Sequence, residues 1–319
     1  MLRLDKFDLR IIYELDKKSN ISLTSLAKKI GRSKQFILHR IKNLEGDGVI
    51  KGYTAIVDMS KLGYFTFRVY FKMKKTVKDE GQRFVDFVHN NYRQVWTITS
   101  MHGKWDYALF LGVKHIMEFH KIWDGIMLKY KGRIKEYNVA VYAPIYNFNR
   151  QFDVDKKEER EVRVYGEGSL TDFDTLDWKL IEKYASDVRK SILKISQELK
   201  VSPNTVRNRI NKLEQNRIIT GYKIGIDLAK LGYVSYRVDL ELSSTRENER
   251  LFEYCKQHKN IYQINKTIGG ADIEIEVIVK DLQELLSIID DIKKEFKKVV
   301  DATDYFGFST FHILQYIPD

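Results

Sequence analysis

The chain has 319 residues and a formal net charge of +11, with 55 Lys and Arg against 44 Asp and Glu, and 43% of its residues are hydrophobic. That apolar share excludes wholesale disorder, the single cysteine, Cys255, excludes an intrachain disulfide framework, and no apolar run approaches the ~20 residues of a membrane span. The length predicts more than one core, and the opening Met1-Leu2-Arg3-Leu4-Asp5-Lys6 lacks the apolar run of a secretory leader, so the expected setting is the cytoplasm with no membrane partner.

In chain order, Leu4, Phe7, Ile11, Ile12 and Leu15 lie at helical spacing over residues 5–16, with Asp5 as N-cap. Leu23, Leu26, Ala27 and Ile30 mark a second helix that starts near Ser22. After the turn at Gly31, Ser33 caps a third helix whose buried stripe is Ile37, Ile41 and Leu44. Three short helices with a glycine turn before the third form a helix-turn-helix core. Residues 49–57 read as a hairpin-like pair that serves as a wing. Strands follow near 62–73, 94–101, 104–113 and 134–146, with helices near 79–91 and 115–128. Phe65, Phe67, Val69 and Phe71 take one face of the first of these strands and Tyr64, Thr66, Arg68 and Tyr70 the other. Aromatic bulk on both faces predicts a sheet covered on both sides.

The chain then repeats itself. At a shift of 169, Asp5 and Asp8 meet Asp174 and Asp177, Ser33 meets Ser202, Arg40-Ile41 meets Arg209-Ile210, Leu44-Glu45 meets Leu213-Glu214, and Lys61 through Tyr64 meets Lys230 through Tyr233. At a shift of 166, Gly103 and Asp106 meet Gly269 and Asp272. A gapless register of this length marks a duplication. The second copy places helix stripes at Leu176, Leu180 and Ile181, at Ile192, Ile195 and Leu199, and at Val206, Ile210 and Leu213, with Ser202-Pro203 opening the third helix. Strands follow near 232–243, 261–268, 271–280 and 301–317, and helices near 246–258 and 281–295.

The fold class is therefore α+β: a winged helix-turn-helix plus a ferredoxin-like βαββαβ domain, the pair occurring twice. The expected boundaries are 1–60, 61–149, a charged linker at 150–171, 172–230 and 231–319. Net charge runs +5 over 1–60, +9 over 61–150, −2 over 151–171, +4 over 172–230 and −5 over 231–319. The basic segments suit a polyanion or a solvated surface. The opposite charges predict that the two ferredoxin-like domains pair with each other, within one chain or between chains; in the first case one chain forms a pseudo-dimer, alone or within a higher homo-oligomer.

Ser202 through Glu214, then Ile218-Ile219-Thr220-Gly221-Tyr222, Asp227 and Leu231-Gly232, resemble the Lrp/AsnC transcription regulators; Ser33 through Gly63 is similar. The Gly-x-x-Asp pairs Gly103/Asp106 and Gly269/Asp272 resemble that family's effector-domain signature. The resemblance implies a regulator whose partner is double-stranded DNA and whose further control comes from an amino-acid-like effector. It departs from the family in carrying two modules, and in placing Arg217-Ile218-Ile219 where the first copy has Gly48-Val49-Ile50.

The buried stripe turns Ser33, Lys34, Gln35, His39, Lys42 and Asn43 outward in the first copy. In the second it turns out Ser202, Asn204, Thr205, Arg207, Asn208, Asn211 and Lys212. Asn and Gln pair with adenine edges, Arg with guanine, Lys with phosphate. Phe36 and Leu38 at the margin make the first copy the poorer reader. Arg40 and Arg209 border the buried stripe and read as partners of acidic neighbours or as phosphate clamps, with Glu45 and Glu214 in similar structural roles. For Gly103/Asp106 and Gly269/Asp272, turn chemistry and an effector loop both stay open.

His39, His89, His102, His115, His120, His258 and His312 form no i, i+4 pair, and no phosphate loop or nucleophile elbow is present. The expectation is a protein that is not an enzyme, with no catalytic residue, cofactor or metal. Two alternatives compete. One is a siroheme-decarboxylase-like tetrapyrrole enzyme, a resemblance faintly carried by His89-Asn90-Asn91-Tyr92-Arg93. The other is a scaffold that binds no DNA.

Overall fold

The computed structural model describes residues 4–74, 80–152 and 160–314. The expected helix start at 79, the centre of the linker at 153–159 and the strand end at 315–317 lie outside the described residues. The first half runs α1 (Lys6–Lys17), α2 (Leu23–Ile30), α3 (Lys34–Gly46), β1 (Ile50–Val57), β2 (Phe65–Met73), α4 (Glu80–Asn91), β3 (Val95–Gly103), β4 (Tyr107–Val113), α5 (Ile116–Tyr130) and β5 (Ile134–Phe148). After β6 (Val162–Tyr165) the second half runs α6 (Thr175–Tyr184), α7 (Ile192–Leu199), α8 (Pro203–Gln215), β7 (Ile219–Ile226), β8 (Val234–Leu242), α9 (Asn248–Gln257), β9 (Ile261–Ile268), β10 (Ile273–Val279), α10 (Leu282–Glu295) and β11 (Val300–Leu314).

The helices form where local chemistry directs them. Asp5 and Asp8 form a reciprocal capping box at α1, and Asp174 and Asp177 repeat it at α6. Ser33 and Ser202 cap α3 and α8 by accepting the backbone N–H groups of Phe36 and Thr205 at 3.2 and 3.0 Å. Ile37, Ile41 and Leu44 and their counterparts Val206, Ile210 and Leu213 are buried in one apolar core shared by both helix-turn-helix units.

That sharing corrects one expectation. Residues 49–57 do not fold back as a hairpin wing. They form the single strand β1, which pairs antiparallel with β7 of the other copy, Tyr53 opposite Ile224 and Ala55 opposite Tyr222. An isolated two-stranded ribbon needs a turn to return on itself. Here the second copy supplies the partner strand, so the two helix-turn-helix units are joined at their hinges.

The other strands form one sheet in the order β2-β4-β3-β11-β8-β10-β9-β5-β6, and β2 also pairs with β5, so eight strands close on themselves. Each half contributes a ferredoxin-like order. Cross-half pairing runs through β3–β11 and β5–β9, which seats the +9 segment 61–150 against the −5 segment 231–319 within one chain. Phe67, Val69 and Phe71 pack on the helix side of β2 with Phe84 and Ile122. Arg68 and Tyr70 face the inside of the ring, 1% and 0% exposed. The sheet is therefore covered on both faces over most of its length, with Phe65 at the start of β2, Ile268 at the end of β9 and Phe311 on β11 among the exposed exceptions.

The segment read as a linker by its composition is partly ordered. β6 pairs with β5, and Arg163 on it is 1% exposed, with its Nη2 donating to the carbonyl oxygens of Asp16 and Lys17 at the end of α1. A charged side chain that finds helix-terminal carbonyls can be buried in this way.

Candidate nucleic-acid interface

The outward faces of α3 and α8 stand where their stripes place them. Ser33, Lys34, Gln35, His39, Lys42 and Asn43 are exposed, as are Ser202, Asn204, Arg207, Asn208, Asn211 and Lys212. Thr205 is half-buried, with its hydroxyl 2.9 Å from that of Ser202. Asn43 Nδ2 lies 3.3 Å from His39 Nε2, and Arg207 Nη1 donates to Asn204 Oδ1 at 2.9 Å. Each helix thus presents a row of short polar groups flanked by cations, the donor and acceptor set that base edges and phosphates take. Phe36 is withdrawn from this face: its ring meets Phe7 edge-on at 5.7 Å and lies under the Arg40 guanidinium.

Arg40 and Arg209 bond acidic residues. Arg40 contacts Asp5 at 2.8 Å and Asp8 at 3.2 Å, and Arg209 contacts Asp174 at 2.6 Å and Asp177 at 3.0 Å. Arg40 thus locks α3 onto the capping box of α1, and Arg209 locks α8 onto that of α6. At Asp174 the backbone N–H of Asp177 and the Arg209 guanidinium hold the carboxyl below its ordinary range. At Asp5 burial opposes, but the N–H groups of Asp8 and Phe7 together with Arg40 prevail in the same direction.

Glu45 and Glu214 are structural, but their partner is a tyrosine: Tyr53 OH donates to Glu45 at 2.5 Å, and Tyr222 OH donates to Glu214. These bonds tie the ends of α3 and α8 to the paired strands β1 and β7. Sequence reading missed the tyrosines, although a Glu and a Tyr eight residues apart recur in both copies.

Gly103 and Gly269 have φ of +106° and +88° and turn the β3–β4 and β9–β10 hairpins. Asp106 accepts from the Met73 N–H and from Lys72, and Asp272 from the Leu242 N–H, so both carboxylates anchor a hairpin to the end of a neighbouring strand. Each hairpin sits at a seam between halves. A side chain on Gly103 would meet Phe306 at 3.4 Å, and one on Gly269 would meet the Val139 carbonyl at 2.7 Å. Trp105 is buried against Tyr70 and Phe306 inside the ring, while Ala271 takes the matching place in the second copy. The structure brings these four residues to two separate hairpins, on other elements than α3 and α8.

Residues 4–51 and 173–220 each match the model of a winged helix-turn-helix DNA-binding family. The regulatory protein AsnC of Haemophilus influenzae is 29% identical over 121 residues, which is 38% of this chain and 81% of that protein. The transcriptional regulator Ptr1 of Methanocaldococcus jannaschii is 32% identical over 113 residues, 35% of this chain and 76% of its own length. The chain belongs to the Lrp/AsnC family of transcription regulators. Each of these relatives corresponds to about one module of this Lrp/AsnC protein. Among the described residues no helix is long and apolar enough to cross a membrane.

One comparison overturns an expectation. The crystal structure of the siroheme decarboxylase NirDL covers 98% of this chain and 94% of its own at a TM-score of 0.65, with 14% identity. The exclusion of an enzyme rested on missing catalytic motifs, and it does not stand. The whole two-module architecture is one that an enzyme also uses, and fold alone does not separate the two uses.

Proposed function

We propose that this chain is a sequence-specific double-stranded DNA-binding regulator that reads an asymmetric site and answers to a small-molecule effector. The observation that carries the reading is the exposure of polar outward faces on both α3 and α8, with neither face covered by another part of the described chain. Gln35, His39 and Lys42 on one helix and Asn204, Arg207 and Asn208 on the other offer different base-edge chemistry, so the two half-sites should differ. The units 1–60 and 172–230 act as readers, and 61–149 and 231–319 hold them in one chain.

Selection from a random duplex pool with the full chain tests this. The expected result is a two-part, non-palindromic site. Replacing Asn204, Arg207 and Asn208 with Ala should flatten the preference in one half-site and leave most salt-dependent, non-specific binding in place. Recovery of perfect palindromes alone, or an unchanged preference in the triple variant, would reject the reading.

A second reading, chemistry on a tetrapyrrole, is favoured by the whole-chain fold likeness to NirDL. Its test is a visible absorbance change on mixing the chain with siroheme, followed by decarboxylated product in a timed assay.

A further inference from the structure

α5 holds apolar side chains in water that its own half does not require. Its inner stripe, Ile122, Ile126 and Tyr130, is buried in the core of the first half, as Ile288, Ile292 and Phe296 of the matching helix α10 are in the second. On the outer face of α5, Leu128 is 92% and Met117 52% exposed. The duplication supplies the control. At the shift of 166, the α10 positions that match Met117 and Leu128 are Gln283 and Lys294. The second half closes its core with polar groups at these two places. The methionine and the leucine therefore serve a contact outside the half that carries them.

Met117, Lys121, Asp124 and Leu128 recur at helical spacing and are all exposed, which at about 100° per residue lays them in one stripe about 60° wide. The stripe reads apolar, basic, acidic, apolar. Its outer pair and its inner pair share one midpoint, between Ile122 and Trp123. Laid antiparallel against its own copy about a two-fold axis at that point, the stripe sets Met117 opposite Leu128 and Lys121 opposite Asp124. Each pair then occurs twice, because in a two-fold interface residue i meets j where j meets i. A parallel pairing would set lysine on lysine and aspartate on aspartate, and is repelled. Asp124 bonds His120 at 3.0 Å with 63% of its side chain still open to a second cation. The antiparallel register also brings Lys114 towards Lys131. Those two ammonium groups are turned onto the Tyr64 and Tyr137 rings, at 4.9 and 5.2 Å.

We propose that the outer face of α5 docks a second copy of this chain, helix against helix and antiparallel about the Ile122–Trp123 midpoint. The charge order selects the occupant: a stripe complementary to itself fits an identical stripe. A helix of 15 residues is about 22 Å long, and one such pair lies at the small end of specific interfaces, so the association is weak, with a Kd of about 10–100 µM. The docking does not rest on the regulator reading, since none of its residues belongs to α3 or α8.

Sedimentation equilibrium of the full chain without DNA, over about 1–500 µM, tests the surface. The mass should rise with concentration from the 37.7 kDa of one chain towards twice that. Leu128→Lys, which installs the residue type of the matching α10 position, should keep the chain monomeric throughout. Lys121→Asp and Asp124→Lys should each weaken association about tenfold or more, because each sets like charges opposite one another in both places. An equimolar mixture of those two variants pairs two aspartates on one chain with two lysines on the other, and should associate about as tightly as the parent. All three positions are exposed, so the variants should keep the parent's circular dichroism. A parent that stays monomeric at the highest concentration, a dimer that Leu128→Lys leaves intact, or a mixture no tighter than either variant alone overturns the proposal.

Discussion

Arg68 and Glu274, 206 residues apart and one from each half, meet at 2.7 Å inside the ring of strands with 1% and 0% of their side chains exposed. The other oxygen of Glu274 takes Arg237, the repeat counterpart of Arg68, and Arg237 also reaches Glu276 at 2.5 Å. In the first half the positions matching Glu274 and Glu276 are Ala108 and Phe110. Two first halves paired together would bury two arginines with no carboxylate between them, which costs several kcal/mol per ion. The second half therefore supplies the neutralising charge for both, and the pairing is biased toward unlike halves.

This arrangement makes the partners unequal. Glu274→Gln takes away the carboxylate that Arg68 and Arg237 share, leaving Arg68 with no salt-bridge partner among the described residues and Arg237 with Glu276 alone, and should cost about 3–5 kcal/mol. Arg68→Met leaves Glu274 with Arg237 and should cost clearly less. Urea unfolding of the two single variants decides it, and equal losses would contradict the bridging role.

Asp239 faces the same interior. Its Oδ1 has no hydrogen-bond partner among the described residues. Burial, then the Glu274 carboxylate, push it up to about 6 against the pull of Arg237, Arg68 and Lys104. A raised carboxyl pKa means that the folded state holds the proton more firmly than the unfolded chain. Its destabilising share is absent below about pH 4, grows through pH 6 and is complete above. Asp239→Asn should therefore gain stability relative to the parent as pH rises from 4 to 7.5, by about 1–3 kcal/mol. A difference between the two proteins that stays constant over that range would remove this account.

The legible parts of this molecule are those that local chemistry decides. Ser33, Ser202 and the paired aspartates announce helix starts, and stripes such as Ile37-Ile41-Leu44 turn the recognition faces outward, because both signals lie within one or two turns. The hinge was misread because the partner of β1 is β7, which no neighbouring residue specifies. Glu45 was assigned a structural role without its partner because Tyr53 approaches it only after β1 is placed. The concavity lined by Tyr64, Trp96 and Tyr165 was invisible for the same reason, because these side chains come together only once the ring closes and β6 lies against β5.

The joining segment supplies a further test. Arg163 caps the last turn of α1 through the Asp16 and Lys17 carbonyls and also donates to Asn147 Oδ1 at 3.2 Å, while Arg150 bonds the Asp16 carboxylate. Arg163→Met keeps much of the buried stem and removes the donors, leaving helix-terminal carbonyls unsatisfied. The expected loss is about 2–4 kcal/mol. Hydrogen exchange should show the last turn of α1 opening sooner than that of α6, where the Ala185 carbonyl takes the Ala55 N–H at 2.9 Å rather than an arginine. Uniform acceleration across both helices would point to general destabilisation instead.

The two copies solve one turn differently. Gly31 and Gly48 end α2 and the turn after α3 at φ of +74° and +65°, and their repeat counterparts are Lys200 and Arg217. Those two residues keep the left-handed backbone, at +56° and +54°, which costs a residue with a Cβ about 1–2 kcal/mol relative to glycine in the folded state. The greater freedom of glycine in the unfolded chain returns part of that. Lys200→Gly and Arg217→Gly should each stabilise the second helix-turn-helix by about 0.5–1 kcal/mol. The reverse change Gly31→Lys, where a Cβ meets nothing within 4 Å, should cost a similar amount. Gly48→Arg should cost more, because its Cβ would lie 2.8 Å from Lys230 Nζ, which is bonded to the Asp47 carbonyl. Thermal unfolding of the four variants ranks them, and a loss of stability in both glycine variants would show that side-chain contacts, not backbone strain, govern these turns.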